Sequence, residues 1–452
     1  MTHPAYQVTD PATGEVVETF ETSTDVEIQT ALAASHAAYA SWKDVPIADR
    51  GEVVKRVAAL FAERADELSA IARTEMGKPL SEGAEEVEFC QSIFDYFATE
   101  GPTLAADQPI KSFSGGSAVV QKLPVGPLLG IMPWNFPYYQ IARFAAPNLM
   151  LGNTIILKHA ESVPKSALAV EQIMKDAGVP DGVYVNVFAS HEQIETIIAD
   201  PRIQGVSLTG SERAGSIVAA LAGKNLKKCV LELGGSDPMV VLDTADLDAV
   251  VGNAWDFRMY NTGQACNANK RMIVMDDLFD DFVSKLTEKA LAIEPGTFSP
   301  LSSRAAAEAL AAQVDDAVSK GATLHAGGEL SDGPAAFYSP AVLTGVTKDM
   351  RAYAEELFGP VAVVYRVGSD DEALALANDT TYGLGGSVFS ADPARAQKIA
   401  QRLEVGMANV NSTAGEGAEI PFGGVKRSGF GRELGPLGMD EFVNKRMFFI
   451  AD

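Results

Sequence analysis

Cys266 stands in the polar turn "NTGQACNANKR" (261 to 271) and is one of three cysteines in the chain. A free cysteine is most often a small core hydrophobe, but Asn261, Gln264, Asn267 and Asn269 surround this one where apolar packing would favour apolar neighbours. As a thiolate it would attack an electrophilic carbon. Glu232 ends the apolar run "LELGG" (231 to 235), just before two glycines. A carboxylate there is costly to bury without a partner or a task, and activating a water as general base is such a task. Asn135, held between Pro133 and Pro137 in "IMPWNFPYYQIARF", can donate its amide to a developing oxyanion, an effect worth roughly 3 to 4 kcal/mol. Each residue also has a plain structural reading: a buried filler thiol, a paired glutamate, a proline-fixed turn. From these residues alone both readings stay open.

A phosphate site has a weaker signature. No GxGxxG fingerprint opens a strand-helix unit. Gly210, Ser211 and Gly215 in "SLTGSERAG" follow a strand and open a helix, where backbone N–H groups and a hydroxyl can meet a phosphate. The same spacing equally suits an ordinary strand-to-helix turn.

These groups need a scaffold. An apolar stripe from Gly51 to Arg73 predicts one helix that stops at "MGKP", and a second is expected from Ser81 to Thr99, broken by "GPTLAADQP". "SAVVQKLPVGPLLGIM" reads as extended segments interrupted by Pro124, Gly126 and Pro127. Between Leu151 and Gly235 strands "TIILK", "VYVNVF", "GVSLTG" and "CVLELGG" alternate with helices at 164–177, 191–199 and 212–222. That alternation predicts a doubly wound parallel sheet. A second alternating series follows from Met239, with helices at 246–259, 277–292 and 302–320 and strands at "RMIVM", 340–344, 361–367 and 384–389. The tail "FVNKRMFFIAD" reads as a strand with no partner nearby in sequence, a candidate for pairing with another subunit.

Length and composition bound the rest. A chain of 452 residues exceeds what one core organises, so two or three domains are expected. With 36 basic and 60 acidic side chains the formal charge is -24, a field that repels nucleic acid and anionic membrane surfaces. Cys90, Cys229 and Cys266 fit neither a zinc spacing nor a disulfide framework, so no metal site is read. A reducing cytoplasm is the expected compartment. The N-terminal "MTHPAYQVTDPATGEVVETF" lacks the basic and apolar regions of a secretion signal, and no long apolar run suggests a membrane span.

Seven motifs then fall in one order: "PWNFP" (133–137), "KHAE" (158–161), "LTGS" (208–211), "LELGG" (231–235), "GQAC" (263–266), "EELFGP" (355–360) and "PFGGVKRSGFGREL" (421–434). Together they cover most of the chain and resemble the aldehyde dehydrogenase superfamily. The resemblance implies a Rossmann-like cofactor domain (1–109 and 125–233), an α/β catalytic domain (234–431) and a small β oligomerisation arm (110–124 and 432–452). A homodimer or homotetramer is implied too. Cys266 then becomes the nucleophile, Asn135 and the Cys266 N–H the oxyanion donors, and Glu232 the base that activates water on a thioester. Trp134, Lys158, Glu161, Gly210, Ser211, Glu356 and Phe358 become cofactor residues. A carboxylate at Glu161 can accept from a ribose hydroxyl but would repel a 2′-phosphate, so NAD is the expected cofactor, with NADP as the alternative.

The wording is most similar to bacterial succinate-semialdehyde dehydrogenases, which implies oxidation of succinate semialdehyde to succinate; another aliphatic or aromatic aldehyde is the alternative. Phe136 and Phe422 are expected against the substrate, and Arg143 as a bidentate partner for its carboxylate, with a structural ion pair as the competing reading. Many such enzymes carry an arginine directly before "NTGQ", where this chain has Tyr260, with Arg258 two residues earlier. An acylating dehydrogenase would have no need of Glu232, and a silent scaffold would be free to lose Cys266 or Asn135.

Overall fold

The computed structural model describes residues 6–113, 115–294 and 297–452. A hairpin of β1 (Tyr6–Thr9) and β2 (Val16–Phe20) precedes four helices, α1 (Asp25–Trp42), α2 (Ile47–Glu63), α3 (Ala65–Met76) and α4 (Leu80–Leu104). Arm strands β3 (Gln108–Ile110) and β4 (Ser117–Pro124) come next. Then follow β5 (Pro127–Met132), α5 (Tyr139–Leu151), β6 (Thr154–His159), α6 (Pro164–Asp176), β7 (Tyr184–Asn186), α7 (His191–Ala199), β8 (Gly205–Thr209), α8 (Glu212–Lys224) and β9 (Lys228–Glu232). Strands β5 to β9 form a parallel sheet in the order β9-β8-β5-β6-β7. Successive side chains enter opposite layers: Leu128, Ile155 and Leu157 pack with α2, α4 and α5, while Leu129 and Ile156 pack with α1 and α7. The sheet is therefore covered on both faces.

The second sheet draws on β10 (Pro238–Val241), β11 (Arg271–Met275), β12 (Thr323–Ala326), β13 (Ala341–Thr344), β14 (Val361–Val367), β15 (Gly385–Phe389) and β16 (Met407–Val410). Their order is β12-β13-β14-β11-β10-β15-β16, parallel except at β12. Helices α9 (Leu247–Met259), α10 (Asp276–Leu291) and α11 (Arg304–Ser319) contribute to its two cores. Two last strands cross back: β17 (Gly429–Phe430) pairs antiparallel with β9, and β18 (Val443–Ile450) pairs antiparallel with β4 along its whole length. Residues 429 and 430, expected with the second domain, thus hydrogen-bond to the first sheet.

Four local expectations are revised. The helix expected from Gly51 to Arg73 is two helices, broken at Arg64 (φ −106°, ψ 16°), both of which pack against α4. Helix α4 runs through "GPTL" rather than stopping before it. Pro102 cannot donate to the Ala98 carbonyl, and that oxygen faces Gly51, where a Cβ would stand 3.2 Å away. The tail strand finds its partner, β4, within its own chain. Helix α1 was not anticipated, although Thr24 and Glu27 form a reciprocal capping box at its start. Among the described residues no helix is long and apolar enough to cross a membrane.

Candidate active site

The turn before Cys266 is left-handed at three consecutive residues: Asn261 (φ 52°), Thr262 (φ 56°) and Gly263 (φ 73°). A β-branched residue there is strained, so the turn has to be held from outside. Glu82 accepts from the Asn261 N–H at 2.7 Å, and the Asn261 amide donates to the Asn135 carbonyl at 2.8 Å. Gln264 donates to the Asn261 carbonyl at 3.0 Å and accepts from the Ser302 N–H at 2.9 Å. At Gly263 a Cβ would lie 2.3 Å from the Gly359 oxygen, so only glycine fits. Beyond the turn, Lys270 Nζ donates to the Ala265 and Cys266 carbonyls at 2.8 and 2.7 Å.

Asn135 sits beside this turn, its Nδ2 donating to the Gln264 carbonyl at 3.0 Å. An amide has two N–H donors, which leaves one for another acceptor. The loop that carries it is anchored through α5. Glu86, ion-paired with the buried Lys78, accepts from the Tyr138 and Tyr139 N–H groups at 2.8 and 2.9 Å and so caps that helix. His159 ties the same loop to β6, with Nε2 2.9 Å from the Pro137 carbonyl and Nδ1 accepting from the Ala160 N–H at 2.9 Å.

Glu232, at the end of β9, is buried with neither carboxylate oxygen hydrogen-bonded. Burial pushes its pKa well above the usual carboxylate range, opposed by Arg143 and reinforced by Glu433. Its room is made by Gly423, where a Cβ would stand 2.7 Å from Glu232 Oε1. The "PFGG" loop is fastened by Ser428, whose hydroxyl donates to the Gly234 carbonyl at 2.7 Å and accepts from the Gly383 N–H at 3.0 Å. The Cys266 thiol is pushed up to about 12 by burial, with Arg143 and Lys270 pulling down and Glu356 and Glu232 pushing up. The candidate nucleophile and the candidate base therefore share one electrostatic neighbourhood.

The bidentate role expected of Arg143 is not what the structure shows. Its guanidinium is fully buried, ion-paired with Glu433, and Nη2 donates to the Thr209 hydroxyl at 3.1 Å. It lies against the rings of Tyr139 and Phe422, 4.9 and 4.6 Å from their centroids, and neither Nε, held by the Glu433 ion pair, nor Nη1 makes a hydrogen bond among the described residues. Arg258 does not replace the missing arginine either. It donates to the carbonyls of Val361, Gly263, Leu357 and Gly359 at 2.8, 3.2, 2.8 and 2.6 Å, entirely inside the protein. Tyr260 stacks on Phe136 instead, with centroids 6.1 Å apart.

The expected cofactor residues lie around the C-terminal ends of β5, β6, β8 and β9. Lys158, buried at the end of β6, is ion-paired with Glu161, which His191 also approaches at 3.5 Å. Ser211 follows Gly210 as the exposed cap of α8, accepting from the Ala214 N–H at 3.3 Å. Glu356 accepts from the Gly235 N–H and pairs with Lys270, both at 3.1 Å. Trp134 and Phe358 meet edge-on with centroids 5.8 Å apart. A cation, a helix N-terminus, a carboxylate beside two glycines and an aromatic wall are the donor set a dinucleotide needs. These residues fit such a cofactor.

Cys266 also opens onto a cavity of about 1320 Å³ on its other side, walled by Phe136, Tyr139, Tyr260 and Phe422. The sequence reading missed Lys270, His159 and the Lys78–Glu86 pair. Lys270 and Arg271, directly after "NAN" and opening an apolar strand, were the one visible signal of buried cations near the thiol.

Comparison with known proteins follows the same lines. The aldehyde dehydrogenase family matches residues 2–448. The chain is 53% identical over 449 residues to a succinate-semialdehyde dehydrogenase [NADP(+)] of Deinococcus radiodurans, covering 98% of this chain and 94% of that protein. It is 42% identical to a protein of the same name from Mycobacterium avium, over 98% and 96% of the two chains. The crystal structure of succinic semialdehyde dehydrogenase from Streptococcus pyogenes in complex with NADP+ superimposes with a TM-score of 0.96 at 40% identity, over 99% and 100% of the two chains. The chain belongs to the aldehyde dehydrogenase family.

Proposed function

We propose that this protein oxidises succinate semialdehyde to succinate with NADP or NAD. The observation that carries the reading is Cys266 lining an aromatic-walled cavity, with Asn135 against the turn before it and the unpartnered Glu232 near enough to bear on its charge. The names of relatives at 53% and 42% identity support the substrate and NADP, while the Glu161 carboxylate keeps NAD as a second cofactor.

Cys266 Sγ bonds to the aldehyde carbon, and the resulting oxyanion takes the remaining Asn135 N–H together with the Cys266 backbone N–H. Because burial holds the thiol proton so firmly, Arg143 and Lys270 are the groups whose charge favours the thiolate. Lys158, Glu161, Ser211 and Glu356 would hold the dinucleotide, which supplies the hydride acceptor when bound. Glu232, its affinity for protons raised by burial, takes a proton from the water that cleaves the thioester. Arg143, fully buried behind Tyr139 and Phe422 and outside the cavity lining, acts through its charge on Cys266 rather than by touching the substrate carboxylate.

The protein is further read as a cytoplasmic homodimer or homotetramer. In support, the three cysteines are free, and edge strand β18 exposes Met447, Phe448, Phe449 and Ile450 by 45 to 64%. The test is the rise of absorbance at the reduced nicotinamide band with succinate semialdehyde and each cofactor. Turnover is expected and should vanish in Cys266→Ala. No turnover with either cofactor, or full turnover in the variant, would reject the reading.

A further inference from the structure

The charge lining the cavity points to a second class of substrate. Glu86 is neutralised by Lys78, but Glu85, Glu88, Asp95, Asp256, Glu416 and Glu419 line the wall without an ion pair among the described residues. No lysine or arginine lines it. Crowding accompanies the charge: burial pushes Glu82, beside this wall, up to about 7 and raises Glu416, and Glu85 adds to both shifts.

Two independent features have the same polarity. Gln140 Oε1 and Asp237 Oδ1 belong to lining residues that are 1% and 5% exposed, and each is an acceptor with no donor. The apolar wall is aromatic, with Phe89, Phe136, Tyr139, Phe257, Tyr260 and Phe422 presenting rings to one space. Ring faces and uncompensated carboxylates favour a cation, and the unfilled acceptors add no positive charge to oppose one. Succinate semialdehyde enters against this field; an ammonium-bearing aldehyde enters with it.

We propose that the cavity also admits aldehydes whose far end carries an ammonium group, and that the protein oxidises them. The inference rests on reading this cavity as the aldehyde chamber. The aldehyde carbon bonds to Cys266 Sγ, its hydrogen leaves as hydride to the nicotinamide dinucleotide, and water breaks the carbon–sulfur bond. Aldehyde, NAD(P)+ and water give carboxylate, NAD(P)H and two protons, with the ammonium group unchanged.

The test compares kcat/KM for 4-(trimethylammonio)butanal, hexanal and succinate semialdehyde, with hexyltrimethylammonium and hexanoate as unreactive binding probes in calorimetry. The ammonium aldehyde should exceed hexanal by about tenfold, the ratio falling toward about one in the E85Q/E416Q double variant. A wild-type ratio of about two or less, or a ratio the double variant leaves unmoved, overturns the proposal. If no aldehyde is turned over, the proposed function fails. Calorimetry then still decides this inference: tighter binding of hexyltrimethylammonium than of hexanoate supports it, and equal or weaker binding overturns it.

Discussion

Replacing Glu161 by glutamine should turn the cofactor balance toward NADP. In the structure Glu161 holds Lys158, the buried cation at the end of β6, while its own side chain is 30% exposed. A 2′-phosphate about 5 Å from the carboxylate would meet a repulsion of roughly 2 to 3 kcal/mol at an effective dielectric of 20 to 40. Exposure and salt reduce this to about 1 to 2 kcal/mol. Glutamine removes the charge and frees Lys158 for the phosphate, yet its carbonyl still accepts from the ribose hydroxyl of NAD. The ratio of kcat/KM for NADP over NAD should therefore rise by about 5- to 30-fold, almost wholly through KM for NADP. Initial rates at varied cofactor and saturating aldehyde measure it. An unchanged ratio, or one that rises because NAD binding collapses, would refute the electrostatic argument.

Two further outcomes are expected. Burial lowers the pKa of His159 from 6.5 to about 4, so its neutral ring contributes stability that is complete above pH 6.5 and lost as pH falls through 4. The loss amounts to about 3 kcal/mol. Denaturant unfolding between those pH values should show that part of the slope disappear in His159→Gln, and an identical slope would remove His159 as its source. On the arm, Phe448→Asp with Phe449→Asp should shift the mass measured by light scattering toward the single chain, and an unchanged mass would exclude the exposed face of β18 from assembly.

The candidate trio Cys266, Glu232 and Asn135 was legible through the order of the seven motifs, each member sitting where glycines or prolines dictate the backbone. Gly263 packs on Gly359, Gly423 makes room for Glu232, and two prolines flank Asn135. What the sequence hid were pairings across the fold. Arg143 looked free because Glu433, which claims it, lies at the far end of the chain. Arg258, two residues before the position where related enzymes carry an arginine, is enclosed by carbonyls of a distant segment that the sequence does not place beside it. Thr262 in a left-handed conformation runs against its own preference, so only its neighbours' hydrogen bonds reveal it. The acidic residues of α4 read as ordinary solvated surface until the fold gathered them with those of the loop at 416–419 around one cavity.

The strained turn at Asn261–Gly263 is clamped by Glu82 and Asn135 from elements of the first sheet and by Ser302 and Gly359 from the second. The reactive thiol thus acquires its setting only when both halves have closed on it. A chain still emerging or half folded carries Cys266 without the Asn135 amide or the Glu232 carboxylate beside it.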